Sequence, residues 1–374
     1  MYNIAYKAYR TKKLNRLHEM INISAWIWNH CVALQRRYYS LYGAYISKGK
    51  MQHHIAKLRK RNKEWTRLNS QSVQEIVERV DCGYQRFFKK IAIRPPKFKK
   101  AKNFKSFVFK QSGWRVYDNR LIINKVGSYK FVKSRNYADI SRVVVRRNVM
   151  GDIFFIFTCR GSLIKFKRVG NATIGLDFGL KTFLTCSNGE EIHSPQYLKQ
   201  CGKKIRAAQS NYSKKKEDSK NRKKAQLENQ RLWQGIVNKR REFEWKMSHY
   251  LCRNNKFIAI EDLNIRTMYL MWGNKISDLS PASFITTLQE VAKKYDTIIQ
   301  KVGRFYPSSK TCGCGEVNKE LKLSDRIWTC PVCGAVNQRD LLASNNILSE
   351  GIRLYRTKHK TDFSGLGLKV EFCQ

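Results

Sequence analysis

The apolar residues of this 374-residue chain change their period twice, and each change limits what the surrounding stretch can become. Leu14, Leu17, Ile21, Ala25, Trp28 and Val32 recur at spacings of three and four, which predicts one long amphipathic helix. Residues 2–8 alternate ahead of it and read as a strand. Further helices are expected at about 51–64 and 68–92, the second after Asn69 and Ser70, which suit an N-cap. From 104 to 160 the period falls to two, with turn residues between the runs, which predicts an antiparallel β-domain, a small barrel. The strand at 2–8 needs partners, and this barrel is the nearest source, so residues 10–93 read as a helical insertion. After Gly170 come three antiparallel strands, a basic helical stretch at 195–253, the strand KFIAIEDL, a helix at 283–295 and the strand TIIQKV. An RNase H-like sheet requires that succession and other mixed sheets share it, so the expected class is multidomain, α+β followed by α/β.

Lys and Arg number 74 against 28 Asp and Glu, a formal charge of +46, which demands a polyanionic partner, nucleic acid before any other. No apolar run reaches the roughly 18 residues of a membrane span, and residues 1–14 lack the apolar core of a signal peptide. Seven of the eleven cysteines are scattered singly and four cluster, as in a reducing compartment with one metal site. A prokaryotic cytoplasmic or nucleoid location is expected. The candidate phosphate contacts are Arg36 and Arg37, next to Tyr38 and Tyr39, and Lys97, Lys99 and Lys100, in a segment whose two prolines break the helical run. Lys214, Lys215, Lys216, Arg222 and Lys223 lie in the run 213–224, which reads equally as a solvated hairpin tip or a phosphate-facing flap.

Asp177 ends an apolar run containing Ile174 and Leu176, Glu261 ends FIAI, and Asp340 follows Arg339 at the start of a helix reaching about 350. Burying a carboxylate is costly without a compensating cation, and three acids at strand and helix ends suit two Mg²⁺ ions about 4 Å apart. Asp262 competes with Glu261, because adjacent strand residues face opposite ways and periodicity leaves the choice open. Cys312-Gly-Cys314 and Cys330-Pro-Val-Cys333, each followed by glycine, predict one structural Zn²⁺ in a closed four-thiolate site.

Together GLDFGLKTFLT (175–185), AIEDLNIRTM (259–268), RFYPSSKTC (304–312), DRIWTCPVCG (325–334) and the Arg-Asp pair at 339–340 resemble TnpB, the insertion-sequence-encoded RNA-guided nuclease related to type V CRISPR effectors and Fanzor. The resemblance implies a wedge domain, an oligonucleotide-binding-like β-barrel, from 1–9 and 94–168, with a helical recognition lobe at 10–93. It also implies a RuvC-like nuclease domain at 169–311 and 334–374, with a zinc ribbon at 312–333. By the same match Asp177, Glu261 and Asp340 fall on the acidic triad, which selects Glu261 over Asp262, and Arg304 and Arg339 join the strand-holding candidates. The implied partners are a structured guide RNA from the transposon end and double-stranded target DNA beside a short flanking motif, with the protein a monomer on its RNA. Three positions depart from the family: C-x-C replaces C-x-x-C, Leu342 stands where Asn is usual, and Gln338 where an acid is usual. Leu342 and Gln338 keep one alternative in view, an RNA-guided DNA-binding regulator with weak or lost cleavage; a compact type V effector is a second alternative.

Overall fold

The computed structural model describes residues 1–161, 165–322 and 325–359, with the backbone alone at 274 and 275. The parts of the expected wedge, ribbon and nuclease segments at 162–164, 323–324 and 360–374 lie outside the described residues. The chain divides into two compact units, Met1–Leu163 and Ile164–Gln374.

In the first unit β1 (Tyr2–Lys7) leads into α1 (Leu14–Tyr42), α2 (Lys48–Arg61), the single turn α3 (Lys63–Thr66) and α4 (Ser70–Phe88). Six strands follow: β2 (Ser106–Phe109), β3 (Trp114–Tyr117), β4 (Arg120–Ile123), β5 (Gly127–Lys130), β6 (Ile140–Arg147) and β7 (Ile153–Cys159). The second helix starts earlier than its periodicity predicts because the Ser47 hydroxyl accepts from Lys50 N. It stops at Arg61 because Asn62 turns extended and caps α3, accepting from Glu64 N and Trp65 N. Asn69 caps α4 through Gln71 N at 2.8 Å, and the helix ends before Lys90, whose φ is 56°.

The strands form two antiparallel sheets, β1-β7-β6-β2 and β3-β4-β5, joined by a bridge between Ala8 and Phe131. The period-two stretch therefore folds into a pair of sheets, because Asp118 at φ 45° closes β3 onto β4 as a local hairpin. Side chains bind the sheets together: Tyr129 meets Phe155, and Phe131 meets Phe157 at a ring separation of 5.4 Å. The helices share this core, with Leu17, Ile21, Val32, Ile76 and Val77 fully buried.

The second unit holds β8 (Ala172–Asp177), β9 (Leu184–Cys186), β10 (Glu191–Ile192), α5 (Tyr197–Ser213), α6 (Lys220–Asn254), β11 (Asn255–Glu261), α7 (Ile265–Leu279), α8 (Pro281–Tyr295), β12 (Ile298–Val302), β13 (Ile327–Thr329), β14 (Val336–Gln338) and α9 (Arg339–His359). The sheet order is β10-β9-β8-β11-β12, with β8, β11 and β12 parallel. One face buries Ile174, Ile258 and Ile260 against Leu251, Phe284 and Leu288 of α6 and α8. The other buries Phe257, Ala259 and Val302 against Ile347 and Ile352 of α9.

Two glycines set how close α9 comes. A Cβ at Gly175 would stand 2.1 Å from the Ser344 carbonyl oxygen, and one at Gly351 would stand 2.6 Å from the Ala259 Cβ. Three further features differ from the sequence reading. Helix α7 was not expected, and α9 continues to His359 rather than to about 350. The run 213–224 is only in part a tip: Ser219 accepts from Arg222 N at 3.0 Å and starts α6, so Arg222 and Lys223 are helical.

Candidate active site and cysteine cluster

The parallel register pairs Leu176 with Ile260, which sets Asp177 beside Glu261 at the carboxyl ends of two adjoining strands. Open α/β sheets bind their ligands outside such strand ends. Asp340 is the second residue of α9, and the close seat of that helix on β8 brings its charge to the same place. Asp177 is only partly covered from solvent, yet its carboxyl is crowded by protein. Burial, followed by the negative charges of Glu261 and Asp340, pushes its pKa up to about 7, against the opposing pull of Arg339 and of Phe178 N–H.

Burial also raises Glu261, which is steadied by the Ser308 hydroxyl, donating to Oε1 at 2.6 Å. Arg326 Nη1 donates to both oxygens of Asp340, at 2.9 and 2.7 Å. Asp262 points elsewhere: it pairs with Lys301 at 3.4 Å and with Arg304 at 3.0 Å, half-exposed, as strand alternation requires of the residue after Glu261.

Ser308 and Arg326 escaped the sequence reading as site residues. Their signal lay inside RFYPSSKTC and DRIWTCPVCG, where they attracted less notice than the cysteines. Asn346 on α9 supports the same corner, its amide donating to the Ser308 and Thr311 carbonyls at 2.8 and 2.6 Å. Leu342 packs on the small core of Cys312, Leu321, Trp328 and Cys330, so its apolar side chain has a structural duty there. Gln338 ends β14, exposed, opposite Ile327.

The four clustered cysteines converge, with all Sγ atoms within 4.8 Å of one another. Cys312 lies 3.6 Å from Cys333, and Cys314 lies 3.7 Å from Cys330, close to the edge of about 3.8 Å that a tetrahedron with Zn–S near 2.3 Å would have. The Asn337 amide donates to Cys312 Sγ at 3.6 Å, an interaction that favours thiolate. The donor set fits zinc. The carboxylates fit a hard divalent cation, since burial holds Asp177 and Glu261 above their ordinary range, with Glu261 and Asp340 adding to the rise at Asp177, and a cation bound there would offset that cost.

The basic candidates are unequal. Arg339 is buried, with its guanidinium donating to the Lys322 carbonyl at 2.8 Å and to the Ser309 hydroxyl at 3.5 Å, so little of it faces solvent. Lys99 lies over the Trp28 ring at 3.7 Å, and Arg36 over Phe98 at 4.8 Å. Arg304 is paired with Asp262, and Arg222 donates to the Lys215 carbonyl. Arg37, Lys97, Lys100, Lys214, Lys215, Lys216 and Lys223 keep exposed or half-buried positions on helix and loop surfaces.

Residues 165–271 match the family described as "Probable transposase", and 282–347 match "Cas12f1-like, TNB domain". A Cas12f1–sgRNA–target DNA complex solved by cryo-EM superposes with TM-score 0.57 at 13% identity, covering 90% of this chain and 83% of that one. The mixed α/β multidomain fold is thus similar to that of Cas12f1. A Streptomyces pristinaespiralis protein named "Putative RNA-guided DNA endonuclease" is 30% identical over 76% of this chain and 72% of its own. InsQ of Escherichia coli K12, similarly named, is 24% identical over 87% and 86%. The chain belongs to the TnpB family. Among the described residues no helix is long and apolar enough to cross a membrane.

Proposed function

We propose that this chain is an RNA-guided DNA endonuclease of the TnpB type. The observation that carries the reading is the convergence of Asp177, Glu261 and Asp340 from two parallel strand ends and a helix start, close enough to disturb one another's charge. These three side chains are the proposed catalytic acids and would hold a pair of Mg²⁺ ions. Such ions supply an activated water and charge stabilisation for the leaving oxygen of a phosphodiester. The protein's own groups do the orienting. Ser308 fixes the Glu261 carboxylate, Arg326 fixes that of Asp340, and strand β8 fixes Asp177. The thiolates of Cys312, Cys314, Cys330 and Cys333 would hold one Zn²⁺, which, with no open position, shapes the loop that carries Arg326.

In this reading residues 1–9 and 94–168 form a wedge of the oligonucleotide-binding barrel type, 10–93 a recognition lobe, 169–311 and 334–374 a RuvC-like domain, and 312–333 its ribbon. A guide RNA supplies the sequence, the protein reads backbone and flanking motif, and the charge of +46 is matched to an RNA scaffold and an opened DNA duplex. The cytoplasm or nucleoid is the proposed place of action. Leu342 packs against the core of the ribbon, so its apolar side chain there is accounted for without a loss of cleavage.

The test is cleavage of supercoiled DNA bearing a guide match beside a randomised flank, by protein co-expressed with its RNA. Mg²⁺ is compared with EDTA, and wild type with Asp177→Ala. Cutting that survives the substitution sinks the active-site assignment. Guided binding without any cutting by wild type selects the regulator.

A further inference from the structure

A second concavity, within the first unit, has features of an anion site. It is a cavity of about 360 Å³ where the start of α1 faces β5, lined by Lys12, Lys13, Arg16, Val126, Gly127, Ser128 and Tyr129. Three of these seven carry positive charge and none is acidic. The cations sit at the amino end of a 29-residue helix that has no side-chain cap and no acid in its first turn. Three cations at the positive end of a helix dipole repel it, and an anion would relieve that repulsion.

Two further observations point to a ligand. Arg16 Nη1 donates to the Val126 carbonyl at 2.9 Å, which anchors the guanidinium at the cavity and leaves its other N–H groups to face an acceptor. Tyr129 is only 3% exposed, and its hydroxyl is buried without a hydrogen-bond partner. A Cβ on Gly127, which also lines the cavity, would stand 3.8 Å from that hydroxyl, so the orphaned donor lies just behind the cavity lining. A buried hydroxyl without an acceptor is uncompensated for its loss of water. An oxyanion between Arg16, the two lysines and Tyr129 would answer both the orphaned hydroxyl and the uncapped positive helix end.

We propose that this cavity binds a backbone phosphate of a bound polynucleotide, with Lys12, Lys13 and Arg16 supplying charge and the Tyr129 hydroxyl a neutral donor. The proposal rests on the nucleic-acid-binding reading above but not on the acids that cut. RNA and DNA offer the same phosphodiester, and the experiment separates them.

The full chain, carrying Asp177→Ala so that probes survive, is titrated with fluorescein-labelled single-stranded RNA in one arm and a DNA duplex in the other, each across a salt series. The double substitution Lys12→Ala/Lys13→Ala is expected to flatten the plot of log affinity against log salt in the arm that supplies the phosphate, by about 0.7 for RNA or about 0.9 for duplex DNA for each phosphate no longer neutralised. Tyr129→Phe removes no charge, so it should weaken binding about tenfold in the same arm with the slope kept and the melting temperature level or raised. Tyr117→Phe, on an exposed ring of β3, is the control. Slopes unchanged in both arms, or a Tyr129→Phe loss no larger than that of Tyr117→Phe, overturn the proposal. Absence of binding by the parent chain would instead overturn the function proposed above.

Discussion

Arg326 holds Asp340 through a single nitrogen that donates to both carboxylate oxygens. Arg326 precedes β13 and Asp340 lies in the first turn of α9, and Arg339 N donates to the Arg326 carbonyl at 2.8 Å. The cysteine-bearing hairpin and the third acid are therefore joined by backbone and side chain at one point, and the hairpin can set the orientation of that acid.

Arg326→Ala should separate stability from cleavage. The two side chains are 49% and 34% exposed, so the pair is worth at most about 1 kcal/mol to folding. The melting temperature should barely move while the cleavage rate falls about tenfold for loss of an oriented carboxylate, with partial recovery in Arg326→Lys. Equal rates for Ala and wild type would show that Asp340 needs no such partner.

Asp177 gives the metal-free protein a pH-dependent weakness. Its pKa rises from the ordinary 3.8 to about 7 in the folded chain, so between those values the unfolded chain has released a proton that the folded one keeps. Stability therefore falls as pH rises through that window and levels off above it. In EDTA, Asp177→Asn should melt higher than wild type, with the gap opening across the window and full above pH about 7. A gap independent of pH would remove the electrostatic explanation.

The seat of α9 is tested by glycine. Gly175→Ala pushes a Cβ against the Ser344 backbone oxygen and should cost about 1–3 kcal/mol in denaturant unfolding, with a loss of cleavage as Asp340 shifts. Gly202→Ala, in α5 with nothing within 4 Å, should instead gain about 0.5–1 kcal/mol. Equal effects at the two positions would mean that α9 is not tightly seated.

Zinc removal has an optical readout. Trp328 is 7% exposed and packs beside Cys312 and Cys330. Chelation should release the metal and shift tryptophan emission to the red, and the shift should vanish in Trp328→Phe. Cys330→Ser protein should carry no zinc by elemental analysis. Full zinc content in that variant would refute the four-thiolate site.

Period and local chemistry made much of the architecture legible. The spacing of Leu14, Leu17 and Ile21 marked α1, Asn69 marked the start of α4, and the apolar runs before Asp177 and Glu261 marked β8 and β11, because these signals act within a few residues. Helix α7 was missed where MYLMWG presents a stretch of exposed apolar residues, Tyr269, Leu270 and Met271, that mimics a buried run. The split of the β-stretch into two sheets was hidden for another reason. Alternation tells which residues share a face but not which strand lies beside which.

At the candidate site the sequence alone pointed to the donors: two acids ending apolar runs, a third at the start of a helix, and two cysteine pairs with turn glycines. It did so because the cost of a carboxylate at the end of a buried run is a local matter. Tertiary structure decided which of these groups meet. The register of β8 on β11 sets Asp177 beside Glu261, the room left by Gly175 and Gly351 brings in Asp340, and strand alternation sends Asp262 to Lys301 and Arg304. The same packing buried Arg339 and recruited Ser308 and Arg326, residues whose roles depend on partners 47 and 14 positions away along the chain. Distances of that kind are fixed by hydrogen-bond register and close packing between segments, and neither is written in the spacing of one segment.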